Sequence, residues 1–429
     1  MRGGAWMRGG RWAVAGVLAG LLATSGTVAA AKGGQSDGWG QDFYLSDSFA
    51  AEANAVFTFG VQTDRYWVGD WDGDGVDTIG SRNLTNVFSV RNSNTTGGPD
   101  RQFGYGRAWD TVLVGDWNGD GTDTMTVRRG MVYHVKNSLS GGAADVVLPY
   151  GKATDEVLVG DWDGDGRDTF AVRRGAQYFV KNSLSGGPAD QVVVYGRPAD
   201  EVLVGDWDGD GRDTFAVRRG RVYHIADSIR PGQADRVVVY GRENDGVLVG
   251  DWDGDGVDSL GVHRLRPALQ RVPDGSVTAG ALAGVDATSG KVDPRNGRLS
   301  HSALCPIPFL PTHAVQCRAV ADLVAFDRAY RARFGAPLPI NPAPLTTYRS
   351  YEDQQYLWAE TGPPTAARPG ASPHGYGLAV DFGGRTDIEF GRQPYLWLRD
   401  NGPRFGWHNM PWNRENGSNP EPWHFDYRG

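Results

Sequence analysis

Between about residues 41 and 264, apolar and polar residues alternate in runs of four to six, broken by stretches rich in Gly, Asp, Asn and Ser. Period-2 runs of this length predict half-buried β-strands. The pattern returns at a fixed interval. Val-Gly-Asp-Trp-Asp-Gly-Asp-Gly begins at Val68, Val159, Val204 and Val249, and a variant carrying Asn118 begins at Val114. The first aspartates of these copies are spaced by 46, 45, 45 and 45 residues, which marks a repeat architecture. In one period, residues 133–136, 145–150, 156–159 and 169–172 read as four strands, with a turn at 138–142. Residues 43–48 read as the opening strand of a first copy, so five units fit between 41 and 264. The expectation is an all-β repeat domain, a five-bladed β-propeller, with a linear stack as the alternative.

The alternation stops near residue 265. Pro, Gly, Ala and Ser accumulate over 265–294, which reads as a linker. A helical period follows at 318–334, with Val320, Leu323, Val324, Ala329, Tyr330 and Phe334 on one face. Ser350 with Asp353 three residues on is a capping-box pattern for a second helix that runs to about 360, before Gly362. Leu378, Val380 and Phe382 alternate as a strand, with Gly377, Ala379 and Asp381 on its other face. Residues 395–400 read as helix, and Trp423, Phe425 and Tyr427 alternate again. Residues 295–429 are thus expected to form an α+β domain, and the whole chain to be multidomain.

The N-terminus changes the picture of where this chain works. Arg2, Arg8 and Arg11, an apolar run over 12–23 and small residues up to Ala31 have the layout of a secretory signal peptide, residues 1–31. Its apolar core is short for a bilayer span of about 20 residues. No later segment is apolar enough to span, so the expected mature protein is secreted, extracellular or wall-associated. In that oxidising setting Cys305 and Cys317 are expected to form one disulfide. The composition, 40% hydrophobic and 11% aromatic, is that of a globular protein. The formal charge of −8 becomes −11 without the three leader arginines and argues against a nucleic-acid partner.

Of the 51 acidic residues, 19 fall in the five repeat loops, which asks for a cation. Carboxylates or an amide stand at loop positions 1, 3, 5 and 8, with Gly at 6. They are Asp70, Asp72, Asp74 and Asp77; Asp116, Asn118, Asp120 and Asp123; Asp161, Asp163, Asp165 and Asp168; Asp206, Asp208, Asp210 and Asp213; and Asp251, Asp253, Asp255 and Asp258. Short acidic side chains around a tight turn suit Ca²⁺ in a structural role. The loops resemble those of integrin-type repeats (FG-GAP) and related secreted bacterial repeats, but the last Asp stands at position 8 instead of 9, leaving open whether it coordinates or caps the next strand. Trp71, Trp117, Trp162, Trp207 and Trp252 at position 2 are expected to pack between repeats. Arg128-Arg129, Arg173-Arg174 and Arg218-Arg219 read as solvated turn charges, or alternatively as contacts to an anionic wall polymer.

The candidate chemistry lies in the last domain. His374 and Asp381 stand seven residues apart, and Glu421-Pro422-Trp423-His424 adds a second imidazole with a carboxylate three residues before it. Two His and one Asp give Zn²⁺ three protein ligands and leave a fourth position open, the arrangement of a catalytic site. A nearby Glu can then take the proton of an attacking water.

Ser372-Pro373-His374-Gly375-Tyr376-Gly377-Leu378-Ala379-Val380-Asp381, followed by Glu421-Pro422-Trp423-His424, resembles the signature of the VanY-like D-alanyl-D-alanine carboxypeptidases, zinc peptidases of family M15. Tyr348-Arg349-Ser350-Tyr351 with Gln354 matches a further segment, and residues 296–334 look like the family's N-terminal helical part. The resemblance implies zinc on His374, Asp381 and His424, Glu421 as general base and Arg349 beside the scissile carbonyl. Ser372, Gln354 and Trp423 are candidate substrate contacts. The implied substrate is a peptidoglycan stem peptide. The alternatives are an L-alanyl-D-glutamate or cross-bridge endopeptidase, or a wall-binding adhesion protein whose repeats carry the main function.

Overall fold

A computed structural model describes residues 34–429 apart from 37–39, 62–63, 84–85, 109, 244, 283–284, 288, 364–365 and 384–387. The expected signal peptide, 1–31, lies outside the described residues. Up to Arg264 the described residues form five antiparallel sheets of four strands each. One sheet runs Glu156–Gly160, Thr169–Arg174, Gln177–Val180 and Gln191–Val194, with Glu156 opposite Arg173 and Arg174 opposite Gln177. The turn between its second and third strands is two residues long and starts on Gly175 at φ 65°, as a tight hairpin requires.

The expected strands are present, but grouped differently. Val132–Val135 and Val146–Pro149 are the third and fourth strands of one sheet, whereas Glu156–Gly160 and Thr169–Arg174 are the first and second strands of the next. Alternation marks strands without marking partners. For the same reason the strand near residue 43 is not the opening strand of a first unit. Asp42–Leu45 pairs with Ser259–Arg264, so the fifth sheet combines Gly246–Gly250, Ser259–Arg264, Asp42–Leu45 and Ala55–Thr58 from both ends of the region.

The acidic loops join the first and second strands of each sheet and bond one another in sequence. Asp123 N donates to Asp70 O, Asp168 N to Asp116 O, Asp213 N to Asp161 O, Asp258 N to Asp206 O and Asp77 N to Asp251 O, all at 2.7–2.8 Å. The side chain of each position-8 aspartate reinforces this link. Oδ2 of Asp77, Asp123, Asp168, Asp213 and Asp258 accepts the backbone N–H of Asp251, Asp70, Asp116, Asp161 and Asp206 respectively, at 2.7–3.0 Å. Position 8 therefore ties neighbouring repeats together through its Oδ2. The glycine before each loop allows the approach: a Cβ on Gly115 would lie 2.7 Å from Asp168 Oδ2.

The loop tryptophans are buried between sheets, Trp117 against Phe170 and Trp162 against Phe215 with ring centroids 5.1 and 5.3 Å apart. The arginine pairs are tied into the repeats and are not simply solvated turn charges. Arg129, Arg174 and Arg219 make two-point ion pairs with Asp110, Asp155 and Asp200. Arg128, Arg173 and Arg218 lie over Tyr133, Tyr178 and Tyr223 and bond carbonyls of the following repeat.

Beyond the repeats, the segment expected as a linker is partly core. Val272, Val277 and Leu282 are buried in the same cluster as Leu323, Phe326 and Val380, and Gly275 N and Val277 N bond Leu299 O and Arg298 O. Three apolar anchors spaced this widely among Pro and Gly make no periodic signal. A hairpin of Leu304–Ile307 and Leu310–Gln316 follows, in a stretch whose Pro306, Pro308 and Pro311 disfavour helix, so the helical part begins only at α1, Cys317–Phe334. Cys305 and Cys317 are disulfide-bonded across this junction, with Cα atoms 4.7 Å apart. Helix α2, Tyr351–Thr361, starts on the complete Ser350/Asp353 capping box, and α3 is Gln393–Asn401. A three-stranded sheet places His424–Tyr427 between Ala379–Asp381 and Trp407–His408. No helix of the described residues is long and apolar enough to cross a membrane.

If position 8 is a tie between repeats, Asp168→Ala leaves the Asp116 amide without its acceptor and should lower the stability of the repeat region by about 1–3 kcal/mol. Urea denaturation with and without a calcium chelator checks this. A loss that vanishes once calcium is removed would return the residue to the ligand set.

Candidate functional site

Asp381 and His424 come together because their strands pair in antiparallel register with these two residues directly opposite. On the other face of the same strands, Val380 and Phe425 are fully buried and anchor the register. His374 arrives from a 3-10 turn, Pro373–Tyr376, held from beneath by Asn296. Asn296 Nδ2 donates to Ser372 O, and its Oδ1 lies where a Cβ on Gly375 would have to go, 1.8 Å away, so the Gly after His374 is required by packing.

The three candidate ligands converge. His374 Nε2 is 3.2 Å from His424 Nδ1 and 3.4 Å from Asp381 Oδ1, and His424 Nδ1 is 3.0 Å from Asp381 Oδ1. A tetrahedral ion with ligands at ~2.0–2.1 Å has ligand atoms about 3.3 Å apart, so two nitrogens and one oxygen at these separations fit zinc. Each imidazole has its far nitrogen committed. His374 Nδ1 is 2.8 Å from the Thr347 carbonyl, which only accepts, so Nδ1 carries the proton and Nε2 offers its lone pair. His424 Nε2 is 3.1 Å from Asp426 Oδ1.

Burial lowers the His374 pKa. Burial pushes the Asp381 carboxyl up, but the two imidazoles beside it more than offset that and hold it far below the usual carboxylate range. For His424 burial favours the neutral ring, yet Asp426 and Asp381 on either side raise its pKa well above the ordinary value.

Glu421 and Arg349 border this cluster and interact electrostatically with Asp381. Burial raises the Glu421 carboxyl above its ordinary pKa, and Asn413 Nδ2 holds its Oε2 at 3.1 Å. Arg349 is held by Leu345 O, which accepts from Nε at 3.1 Å and Nη2 at 2.8 Å. Burial lowers the pKa of its guanidinium. Leu345 is at φ 72°, the left-handed region, the sole described non-glycine residue there.

Of the expected substrate contacts, Ser372 lies at the site, its Oγ accepting from Arg349 Nη1 at 3.4 Å. Trp423 is half-buried and packs on the core cluster. Gln354 belongs to the scaffold instead: it is buried, its Nε2 donates to Asn296 Oδ1 and Arg349 O, and its Oε1 accepts from Gly370 N. The amide is engaged at both ends and holds the segments of Asn296, Arg349 and Gly370 together. Sequence reasoning missed Asn296, Asn413 and Asp426. Only Asp426 had a readable signal, since it follows His424 by two residues on a strand and so shares its face.

In the repeat loops, positions 1, 3 and 5 gather carboxylate oxygens within 4.8 Å in the loops of Asp70, Asp161, Asp206 and Asp251. The position-1 carboxylate accepts N–H groups of its own loop, as Asp161 does from Gly164, Asp165 and Gly166. Asp72, Asp163, Asp208 and Asp253 at position 3 have raised pKa values from burial and from the like charges beside them.

Residues 315–429 match the family model described as VanY: D-alanyl-D-alanine carboxypeptidase. Comparison with curated proteins finds no match. Similar solved structures include the L,D-carboxypeptidase DacB of Streptococcus pneumoniae, 28% identical over 27% of this chain and 67% of that one, TM-score 0.22. A mutant of the vancomycin resistance D,D-pentapeptidase VanY from a VanB-type resistance cassette, in complex with Zn(II), is 25% identical over 33% of this chain and 81% of that one, TM-score 0.24. VanYB in complex with D-alanine-D-alanine is 28% identical over 29% and 77%, TM-score 0.23. The chain therefore carries, behind an all-β repeat region, a domain of the VanY family of peptidoglycan peptidases at residues 315–429.

Proposed function

We propose that this protein is a secreted zinc peptidase that hydrolyses peptidoglycan stem peptides as a D-alanyl-D-alanine carboxypeptidase. The observation that carries the reading is the convergence of His374 Nε2, Asp381 Oδ1 and His424 Nδ1 at 3.0–3.4 Å beside Glu421 and Arg349. Zinc held by the three ligands would polarise the scissile carbonyl and acidify an attacking water. Glu421, made more basic by burial and steadied by Asn413, takes the proton of that water and passes it to the departing amine. Arg349, fixed by the Leu345 carbonyl, faces the negative charge that develops on the carbonyl oxygen and stabilises it without having to reorganise.

For the repeat region we propose a five-bladed propeller of integrin-like type. The loop of Asp77 bonds that of Asp251, the fifth sheet joins the two ends of the region, and aspartates of all five loops line one cavity of about 270 Å³. Calcium is assigned to loop positions 1, 3 and 5, where like charges crowd, and not to position 8. Export, and contact of the repeats with a wall polymer, complete the reading.

Glu421→Gln should leave zinc bound and lower kcat by roughly 10²–10⁴-fold, since it removes the base and no ligand. In the wild type, activity should fall as pH drops through a Glu421 pKa above the ordinary glutamate range of about 4.3, because the base form is lost there. A wild-type rate for the zinc-loaded variant would exclude Glu421 as the base.

Incubation with purified pentapeptide muropeptides should release free D-alanine, read by mass spectrometry, and Arg349→Ala should lower kcat roughly 10²–10³-fold with a smaller change in KM. Products cut between L-alanine and D-glutamate, with no D-alanine, would make it an endopeptidase; no cleavage at all would favour a binding role.

Calorimetry tests the calcium assignment. The transition of the repeat region should move to lower temperature when calcium is chelated, because a cation bound only by the folded loops stabilises them by mass action. An unchanged transition would leave the loops as turns closed by their own amides.

A further inference from the structure

We infer that Asp426 is a positioning residue for the metal: its carboxylate accepts a hydrogen bond from the Nε2–H of His424 and commits that imidazole to present Nδ1 to the site. The inference rests on the zinc reading above. His424 and Asp426 are two apart on the strand His424–Tyr427 and so project on one face, with Nε2 and Oδ1 3.1 Å apart. Across the pairing, Asp426 stands opposite Ala379 as His424 stands opposite Asp381. A methyl at position 379 leaves room for a carboxylate; a larger side chain on that face would contest the space. On the other neighbouring strand Asp426 is opposite His408, whose pKa is lowered by burial.

The bonding of this carboxylate separates it from a structural acid of the same domain. Buried Asp327 receives Arg331 and the Leu338 amide. Asp426 is 1% exposed, and among the described residues its side chain has one hydrogen bond, to His424, while its Oδ2 has no partner. A buried carboxylate with no cap to make and no Lys or Arg to meet serves the imidazole it touches.

The two histidines are oriented by the same device in opposite senses. The Thr347 carbonyl on Nδ1 turns Nε2 of His374 toward the site, and Asp426 on Nε2 turns Nδ1 of His424 toward it. A neutral imidazole without such a partner can present either nitrogen. A carboxylate adds negative charge that a carbonyl lacks and raises the basicity of the ligand nitrogen, the way outer partners hold zinc-binding histidines in general.

The test is zinc affinity of the full chain, measured by competition with a chromophoric chelator, for wild type, Asp426→Ala and Asp426→Asn, with the visible spectrum of the cobalt-substituted proteins as a second readout. Asp426→Ala should weaken zinc roughly 10–100-fold and alter the cobalt bands. Asp426→Asn, which keeps the shape and one acceptor oxygen, should lose less and show that the loss is not a folding defect. Wild-type affinity and an unchanged cobalt spectrum in Asp426→Ala would overturn the inference while leaving the zinc reading intact. A wild-type protein that binds no zinc would overturn both.

Discussion

The antiparallel pairing of Ala379–Asp381 with His424–Tyr427 is the constraint on which the site depends. It sets Asp381 against His424 and Ala379 against Asp426 on one face, and turns Val380 and Phe425 into the core on the other. A slip of one residue would exchange the faces, burying carboxylates and exposing aromatics, so the apolar side enforces the chemistry of the polar one. Phe425 packs against Phe382 with centroids 4.9 Å apart, and Phe382 against Phe326 of α1, which ties the register to the helical layer.

A second element, the short segment 345–347, works through its backbone. Its three successive carbonyls receive the Arg349 guanidinium, the Asp381 amide and His374 Nδ1. Turning Leu345 O toward Arg349 places Leu345 in the left-handed region, a cost of order 1–3 kcal/mol that the surrounding packing must offset. The strain fixes the Arg349 guanidinium beside the cluster of His374, Asp381 and His424.

The repeats solve a different problem with the same economy of parts. Each loop carries several carboxylates close together, and like charges crowd unless something meets them. Position 1 is met by amides of its own loop and position 8 by an amide of the neighbouring one, so backbone dipoles neutralise much of the charge and bind the sheets together. Position 5 is met by the amide two residues on, and position 3 keeps the like charges beside it. The tryptophans and arginines between the sheets add apolar and charged contacts to the same seam.

Much of this was legible in the linear sequence. The strand runs, the 45-residue period and the capping box of α2 depend on local spacing, which a chain displays in its residue order, and the two short motifs holding His374, Asp381 and His424 could be read in the same way. Tertiary structure decided the rest. The sequence could not say that residues near 43 complete the sheet near 260, that Val272, Val277 and Leu282 belong to the peptidase core, or that the arginine pairs reach carbonyls of the next repeat. Nor could it show Gln354 bonded to Asn296 and Gly370, or position 8 bonded to an amide of the neighbouring loop. Residue order fixes which chemical groups are present and which face of a strand they share. Which of them meet is set by long-range pairing, because a polar group that burial strips of water must find its partner wherever the fold brings one.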